Sequence, residues 1–190
     1  MAYDQQMSEI RIAAFAGSLR RLSFNRGLLR ASQELCPSGM AIEIVDLDGL
    51  PVYNMDVESD LPPAVRQFKD RISSADGILI ATPEHNHSFP GVLKNAIDWA
   101  SRPYNDRSLD HKAVILQSAS TGYMGGIRAQ IQLRPVLAYF EMKQMQFPEV
   151  VVGNAKQKFD EGSNLVDSES RDRIVKQLEK FKLFIKSFSE

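Results

Sequence analysis

The chain has 190 residues, of which 43% are hydrophobic and 25% charged, and its formal net charge at pH 7 is −1. These values are typical of one globular domain with a full core, and they give no global reason to expect nucleic acid or an anionic membrane as a partner. The single cysteine, Cys36, excludes a disulfide framework within the chain. It predicts a reducing, cytoplasmic location and a buried structural thiol.

The ends of the chain carry no targeting pattern. The first ten residues lack the basic start and apolar core of a signal peptide, and no apolar run approaches the ~18 residues of a membrane helix. We therefore expect no membrane association, and a single domain over residues 1–190 with a disordered tail over residues 1–8. No internal repeat or interdomain linker divides the sequence.

Apolar runs and helical stripes alternate along the chain. Five short apolar runs predict strands at residues 10–16, 40–47, 76–82, 112–119 and 145–152, the last interrupted by Pro148. Apolar residues at spacings of three and four predict helices at about 25–35, 62–74, 92–100, 127–140 and 171–188. Pro135 lies inside the fourth helix and predicts a kink there.

This order of strand and helix, repeated five times, predicts a parallel sheet with helices on both faces. Ligands bind such sheets at the carboxyl ends of the strands, beside the point where the strand order reverses. Three loops follow strand ends here: residues 17–25 (GSLRRLSFN), 83–91 (PEHNHSFPG) and 120–126 (STGYMGG). All three are expected to open on the same side, and their convergence indicates a binding site.

The first loop (residues 17–25) combines Ser18, Ser23 and Asn25 with Arg20 and Arg21 beside the start of a predicted helix. Free backbone N–H groups, the helix dipole and a guanidinium together favour a phosphate dianion. The loop is neither a Walker A motif nor GxGxxG, so a terminal monophosphate fits best. The alternative is that Asn25 only caps the helix and that the arginines are solvated.

The second loop (residues 83–91) is polar and is stiffened by prolines at both ends of its polar part, which reduces the entropy lost when a ligand binds. Glu84 and Asn86 can present polar atoms to the edge of a flat ring, and His85 or His87 can stack against it. Two alternatives stay open. One is a metal site, because His-x-His can bind a metal, and the other is a purely structural loop.

The third loop (residues 120–126) contains three glycines, which allow the backbone to approach a ligand closely. No GxSxG elbow, HExxH or CxxC motif is present, and the sequence pairs no nucleophile with a base. A phosphate site beside a ring-binding edge, without an evident acid or nucleophile, indicates that a cofactor carries the chemistry.

These motifs resemble those of the NAD(P)H-dependent FMN reductases. GSLRRLSFNRGLL resembles the phosphate loop of that family, TPEHNHSFPGVLKNAIDWASRP its flavin-ring signature, and STGYMGGIRAQIQLRPVL its third motif. The similarity extends from about Ile10 to Val152. It implies a flavodoxin-like three-layer sandwich with a five-stranded parallel sheet. It also implies a flavoenzyme that takes hydride from NAD(P)H and reduces quinones, azo compounds, free flavin or metal oxyanions such as chromate.

The resemblance also implies the cofactor-binding residues. At the FMN phosphate and ribityl end it places Ser18, Arg20, Ser23, Phe24 and Asn25. Along the isoalloxazine it places Pro83, Glu84, His85 and Asn86, with Ser120 and Gly122 approaching from the third loop. It implies no catalytic side chain and no metal, because flavin N5 carries the chemistry. Many relatives have tyrosine at positions 85 and 87, whereas this chain has histidines, which stack less and ionise near neutral pH.

The family includes homodimers and homotetramers, so the resemblance implies a homo-oligomer. Trp99, which lies off the apolar stripe of its helix, and apolar residues on several faces of the helix at 127–140 favour the same expectation. Two other functions stay open, a non-enzymatic electron carrier like flavodoxin and an FMN-binding regulatory module. Carriers of that kind are usually strongly acidic, whereas this chain is nearly neutral.

Overall fold

The computed structural model describes residues 9–188, so the tail expected over residues 1–8 lies outside the described residues. Within this range the strands are β1 (Ile10–Ala16), β2 (Met40–Ile44), β3 (Gly77–Ala81), β4 (Ala113–Ala119), β5 (Lys143–Gln144) and β6 (Val150–Val152). The α-helices are α1 (Phe24–Glu34), α2 (Pro63–Ser73), α3 (Gly91–Ala100), α4 (Ile127–Ala138) and α5 (Ser168–Lys186). Short 3-10 helices lie at Met55–Val57 and Ala155–Gln157.

All strand pairs of the sheet are parallel, in the order β2-β1-β3-β4-β5, with β6 also paired to β4. Successive side chains of a strand point to opposite faces, and both faces are buried. Ile12 and Ala14 of β1 belong to the core that α1 and α5 cover, whereas Phe15 belongs to the core under α2, α3 and α4. The predicted three-layer flavodoxin-like sandwich is therefore confirmed.

The fifth predicted strand is not continuous. Val114 pairs with Gln144 and Gln117 pairs with Val150, so the outer chain advances six residues where β4 advances three. The surplus forms a loop around Pro148, which has no backbone N–H to give to a neighbouring strand. The predicted interruption at Pro148 is therefore present, but the predicted bounds of 145–152 were wrong. Only residues 150–152 of that range form a strand, β6, and the other segment, β5, lies before it at residues 143–144.

Buried glutamines fill the gap between β5 and β6. On one face of the sheet, Nε2 of Gln177 donates to the carbonyls of Leu116 (3.2 Å) and Pro148 (2.9 Å). On the other face, Nε2 of Gln130 donates to the carbonyl of Val150 at 3.1 Å and to Oγ of Ser118 at 2.8 Å. Backbone carbonyls that have lost their strand partner are thus paired, as buried carbonyls must be.

Helix starts follow the capping residues. Ser23 precedes α1 and its Oγ accepts a bond from the backbone N–H of Arg26 at 3.4 Å, so Ser23, and not Asn25, is the N-cap. Asp167 caps α5, accepting from the N–H of Ser170 at 2.9 Å. The hydroxyl of Ser170 also donates to this carboxylate, and that bond is the main reason why the pKa of the Asp167 carboxyl is lowered. Helix α4 continues through Pro135 to residue 138.

Trp99 departs from its expected environment, and Lys69 is a buried cation. Trp99 was expected at an exposed interface, but it is fully buried and its indole N–H donates to the carbonyl of Pro51 at 2.8 Å. That part of the case for oligomerisation was wrong, because the segment after β2 covers the side of α3 from which Trp99 projects. Lys69 is buried to its ammonium, which donates to the carbonyl of Asp106, and burial lowers its pKa.

Cys36 lies just after α1 and is half-buried, so the expectation of full burial was too strong. Its thiol donates to the carbonyl of Met40 at 3.1 Å. Burial raises the pKa of the Cys36 thiol, which opposes formation of the reactive thiolate. The structural role predicted for this residue therefore agrees with its surroundings. Among residues 9–188, no helix is long and apolar enough to cross a membrane.

Candidate functional site

An open cleft of about 540 Å³ lies at the carboxyl ends of β1, β3 and β4. The chain passes from β1 to β2 on one side and to β3 on the other, so the strand order reverses here, where parallel sheets bind ligands. A cavity of about 400 Å³ at the opposite end of the sheet is smaller. The volume of the cleft falls within the ~300–1,000 Å³ that is usual for cofactor sites.

The first loop forms one wall of the cleft and is tied to the sheet by Asn25. The amide of Asn25 donates to the carbonyl of Ala119 at 2.9 Å and accepts from the N–H of the same residue at 2.9 Å. Asn25 is only 2% exposed, and both ends of its side chain are occupied at the end of β4. It therefore fixes the position of the loop against the sheet.

The end of the cleft beside the first loop combines the cation of Arg20 with the N-terminus of α1. Ser18 and Arg20 line it, together with Ser23 at the start of α1, where backbone N–H groups and the helix dipole attract an anion. The guanidinium of Arg20 lies over the ring of Phe24, 5.4 Å from its centroid. Stacking of this kind leaves the N–H edge of an arginine free for a phosphate.

The second loop contains a tight turn. His85 and Ser88 exchange backbone hydrogen bonds of 2.8 and 2.9 Å, and the two residues between them, Asn86 and His87, have φ values of 50° and 66°. Positive φ at both central positions defines the mirror-image hairpin turn, in which asparagine is favoured and most other residues with a Cβ are strained. The turn projects at the mouth of the cleft, and all three residues from His85 to His87 are exposed.

Two side chains of α4 hold the second loop from the side. Nη1 of Arg128 pairs with Oε1 of Glu84 at 2.9 Å, and Nε2 of Gln132 donates to the carbonyl of His87 at 2.8 Å. The side chain of Glu84 is 11% exposed, and its Oε2 is buried without a hydrogen-bond partner in the described part of the chain. The Arg128 guanidinium thus compensates a largely buried carboxylate beside the cleft.

The third loop and the turn after β6 support each other. The carbonyl of Gly122 accepts from the N–H groups of Gly125 and Asn154, each at 3.2 Å, and the carbonyl of Ser120 accepts from the N–H of Ala155 at 3.0 Å.

Gly126 allows α4 to start close to β4. Its φ is 90°, and an added Cβ would lie 2.9 Å from the Cβ of Ser118, so only glycine fits at this position.

Nine of the eleven residues expected to bind the cofactor line this one cleft. The nine are Ser18, Arg20, Ser23, Phe24, Asn25, Pro83, Glu84, His85 and Ser120. Asn86 and Gly122 do not line it, because Asn86 occupies the tip of the turn and Gly122 anchors the third loop to the turn after β6.

Sequence analysis did not assign a binding role to several lining residues, among them Leu19, Val92 and Lys156. Lys156 is the most informative, because it adds a second cation to the wall that contains Arg20. It lies in the 3-10 helix after β6, a stretch that sequence analysis left as an unassigned polar segment. Since β6 is parallel to the other strands, its following loop opens on the same side, and that rule alone would have drawn attention to it.

The residues of the cleft fit FMN. One end provides cations, a hydroxyl and helix N–H groups for a phosphate. The middle provides apolar surface from Leu19, Phe24 and Val92, and the second loop provides a stiff polar edge. Within residues 9–188, no group of three or more histidine, cysteine, aspartate or glutamate side chains is placed to bind a metal ion. Fold and site together define the class, a flavodoxin-like protein with an FMN cleft.

Comparisons with known proteins identify the family. The family model "NADPH-dependent FMN reductase" matches residues 10–157. The chain is 41% identical over 179 residues to the NAD(P)H-dependent FMN reductase PA1204 of Pseudomonas aeruginosa, covering 94% of this chain and 96% of the relative. It is 40% identical over 177 residues to the 2-hydroxy-1,4-benzoquinone reductase of a Burkholderia species, covering 93% and 97% of the two chains.

The solved structure of FerB, a flavoenzyme NAD(P)H:(acceptor) oxidoreductase from Paracoccus denitrificans, matches with a TM-score of 0.86 and 31% identity over 94% of this chain and 98% of FerB. The chain belongs to the NADPH-dependent FMN reductase family. It is an oxidoreductase with FMN as cofactor and NAD(P)H as co-substrate, and the predictions of family, enzyme class and cofactor are confirmed.

Proposed function

We propose that the protein is an FMN-dependent NAD(P)H:quinone oxidoreductase. One observation carries the proposal: an anion-binding helix start and a stiff polar loop face each other across a single open cleft at the strand ends. Bound FMN supplies two-electron hydride chemistry. The similarity to a 2-hydroxy-1,4-benzoquinone reductase favours quinones as acceptors, with azo compounds, free flavin and metal oxyanions such as chromate as further candidates.

In this proposal the protein contributes binding and orientation. Ser18, Arg20 and Ser23 bind the FMN phosphate, and Asn25 holds their loop against β4. The segment from Pro83 to His85 lies along the isoalloxazine. With FMN bound, the open side of the cleft would admit NAD(P)H and then the acceptor, and the residues of the cleft would orient each of them for hydride transfer.

The test is anaerobic stopped-flow spectroscopy of the FMN-loaded protein. NADPH or NADH alone is expected to bleach the visible absorbance of the bound flavin by reducing it. A benzoquinone added afterwards is expected to restore the absorbance. An absence of bleaching by both NADPH and NADH would support a carrier or regulatory module, because neither takes hydride from NAD(P)H by itself. Bleaching without restoration by any quinone would contradict quinones as acceptors. The net charge of −1 argues against a carrier, because carriers of that kind are usually strongly acidic overall and dock on basic partners.

We further propose that the protein self-associates through α4. Ile131 and Tyr139 are 59% and 61% exposed, and Pro135 lies between them along the helix, so the three form an apolar outer stripe. Positions four residues apart share one face of a helix, and an exposed apolar face of this kind favours a partner surface. A twofold dimer, or a tetramer built from two such dimers, is the expected closed assembly.

Light scattering at micromolar protein tests this assembly. The parent is expected at a multiple of 21.4 kDa, and Ile131→Glu is expected to shift it towards the single-chain mass. Leu183→Glu is the matched control, because Leu183 is 67% exposed on α5, on the other side of the sheet. A parent mass of one chain, or equal effects of both substitutions, would contradict self-association through the outer stripe.

We also propose a cytoplasmic location, which a single half-buried cysteine with a raised pKa and a requirement for NAD(P)H both favour. Cell fractionation with compartment markers tests it. Recovery in any fraction other than the cytoplasmic one would contradict the proposal.

A further inference from the structure

The turn at the tip of the second loop does not hold its shape by itself. Asn86 and His87 are consecutive residues in the left-handed region, with φ of 50° and 66°. A residue with a Cβ is unfavourable there, and such conformations persist only where neighbouring structure enforces them. The two backbone bonds between His85 and Ser88 close the turn but connect it to nothing else.

The neighbouring structure that enforces it is α4. Gln132 donates from Nε2 to the carbonyl of His87, one of the two left-handed residues, at 2.8 Å. One helical turn earlier, Arg128 pairs with Glu84, the residue that precedes the turn, at 2.9 Å. Positions 128 and 132 lie on the same face of the helix, so the two contacts act on both sides of His85.

These two contacts are not needed to dock α4 on the sheet. Leu133 and Leu137 are fully buried in the core on that face and provide the docking, whereas Gln132 is exposed. Polar side chains that reach from a well-anchored helix to an exposed loop fix the conformation of the loop.

We propose that Arg128 and Gln132 are positioning residues that hold the second loop in the conformation that binds the flavin ring. The inference rests on the proposed placement of the isoalloxazine along Pro83 to His85. Without the two contacts the turn samples other conformations, and ordering it again on binding costs affinity. The loss concerns the ring end of the cofactor, because the phosphate end is held by the first loop, which α4 does not contact through these side chains.

The experiment is flavin titration of the apoprotein, with FMN and with riboflavin, which lacks the phosphate. Gln132→Met keeps the length of the side chain and removes its hydrogen-bond donor. It is expected to lower the affinities for FMN and for riboflavin by a similar factor of about five to ten. Arg128→Met is expected to lower both flavin affinities at least as much, because it leaves the buried Glu84 carboxylate without its cation. Gln132→Lys and Arg128→Lys retain donors and are expected to recover part of the affinity.

Two matched controls lie away from the cleft. Gln33 donates to the carbonyl of Ile42 at 2.8 Å, a bond of the same type and length as that of Gln132. Arg173 pairs with Glu169 on the surface of α5. Gln33→Met and Arg173→Met are expected to leave both flavin affinities unchanged, even where Gln33→Met lowers the melting temperature as Gln132→Met does.

The proposal is overturned if Gln132→Met and Arg128→Met bind both flavins like the parent, or if they weaken FMN and leave riboflavin unchanged. It is also overturned if their losses equal those of the two controls, because the effect would then be one of general stability. Failure of the proposed function is a separate result, seen in the parent protein as an absence of NADPH-driven quinone reduction.

Discussion

The first and second loops face the same cleft but are held in opposite ways. The first is tied inward, through the buried amide of Asn25 and the backbone of Ala119 at the end of β4. The second is tied sideways, through side chains of α4 that reach an exposed and strained turn. The end of the first loop, at Ser23 and Asn25, is therefore anchored in the core, although the loop is exposed from Leu19 to Leu22. The second loop has no such buried anchor at its tip, where His85 to His87 are exposed.

This difference separates two properties of the site. Bonds buried in a core open only with global or large-scale unfolding, whereas exposed bonds open locally at low free energy. The anion end of the cleft is thus expected to be as rigid as the sheet. The ring end, where His85 and His87 stand, is expected to respond to substitutions that leave the fold intact.

The strongest test of the comparison is Asn25→Ala. It removes two bonds of 2.9 Å and leaves the buried N–H and carbonyl of Ala119 unpaired. Each orphaned group costs about 1–3 kcal/mol, so unfolding by urea is expected to show a loss of about 2–4 kcal/mol together with weaker FMN binding. A normal unfolding free energy with normal FMN affinity would show that the first loop does not depend on the sheet.

Arg20→Ala is expected to lower FMN affinity without changing the stability of the fold. A hydrogen bond to a charged group is worth about 1.5–3 kcal/mol, so titration is expected to show FMN binding weakened by roughly 10- to 150-fold. Riboflavin binding and the melting temperature are expected to stay unchanged. Arg21→Ala is the control, because Arg21 is exposed and does not line the cleft. Equal losses for both arginines would argue against a specific phosphate contact of Arg20.

Lys156→Ala is expected to have a smaller effect of the same kind. Lys156 is exposed and forms no ion pair within residues 9–188, so it adds mainly a screened attraction for the phosphate. FMN affinity is expected to fall about two- to fivefold, the range of exposed charge pairs, and the difference is expected to shrink in high salt. A salt-independent loss would indicate a packing role.

His85→Tyr tests the ring end and is expected to leave FMN affinity close to that of the parent. His85 is exposed at the mouth of the proposed cofactor cleft, where an acceptor would enter. The KM for a benzoquinone is therefore expected to change in the tyrosine variant by a larger factor than FMN affinity does. An unchanged KM in both His85→Tyr and His87→Tyr would exclude a role of these histidines in acceptor binding.

Much of the fold could be predicted from the sequence. β1, β3 and β4 are short apolar runs buried on both faces, and such runs are recognisable without any knowledge of their neighbours. The position of the cleft followed from the same pattern, because loops after parallel strands open on one side. The interruption of the outer strand at Pro148 was predicted, but its bounds were not. The backbone on either side of the interruption is held by Gln177 and Gln130, which come from helices distant in sequence.

The parts of the site that escaped prediction depend on contacts between distant segments. Nothing local in the sequence indicates that Gln132 reaches His87, or that Lys156 shares a wall with Arg20. Trp99 was misplaced for the same reason, since the segment at Pro51 that covers it is far along the chain. The sequence also identifies no acidic or basic side chain that would recognise the ribose of the co-substrate, and so it does not predict a preference between NADH and NADPH.

The divided outer strand also bears on how copies of this protein can meet. A sheet edge recruits other chains when it offers a long, regular row of unpaired N–H and carbonyl groups. Here that edge consists of segments of two and three residues, separated by a proline-containing loop and backed by glutamine side chains. Within residues 9–188, this edge offers no long template for adding a strand from another molecule, which disfavours edge-to-edge pairing on this side of the sheet.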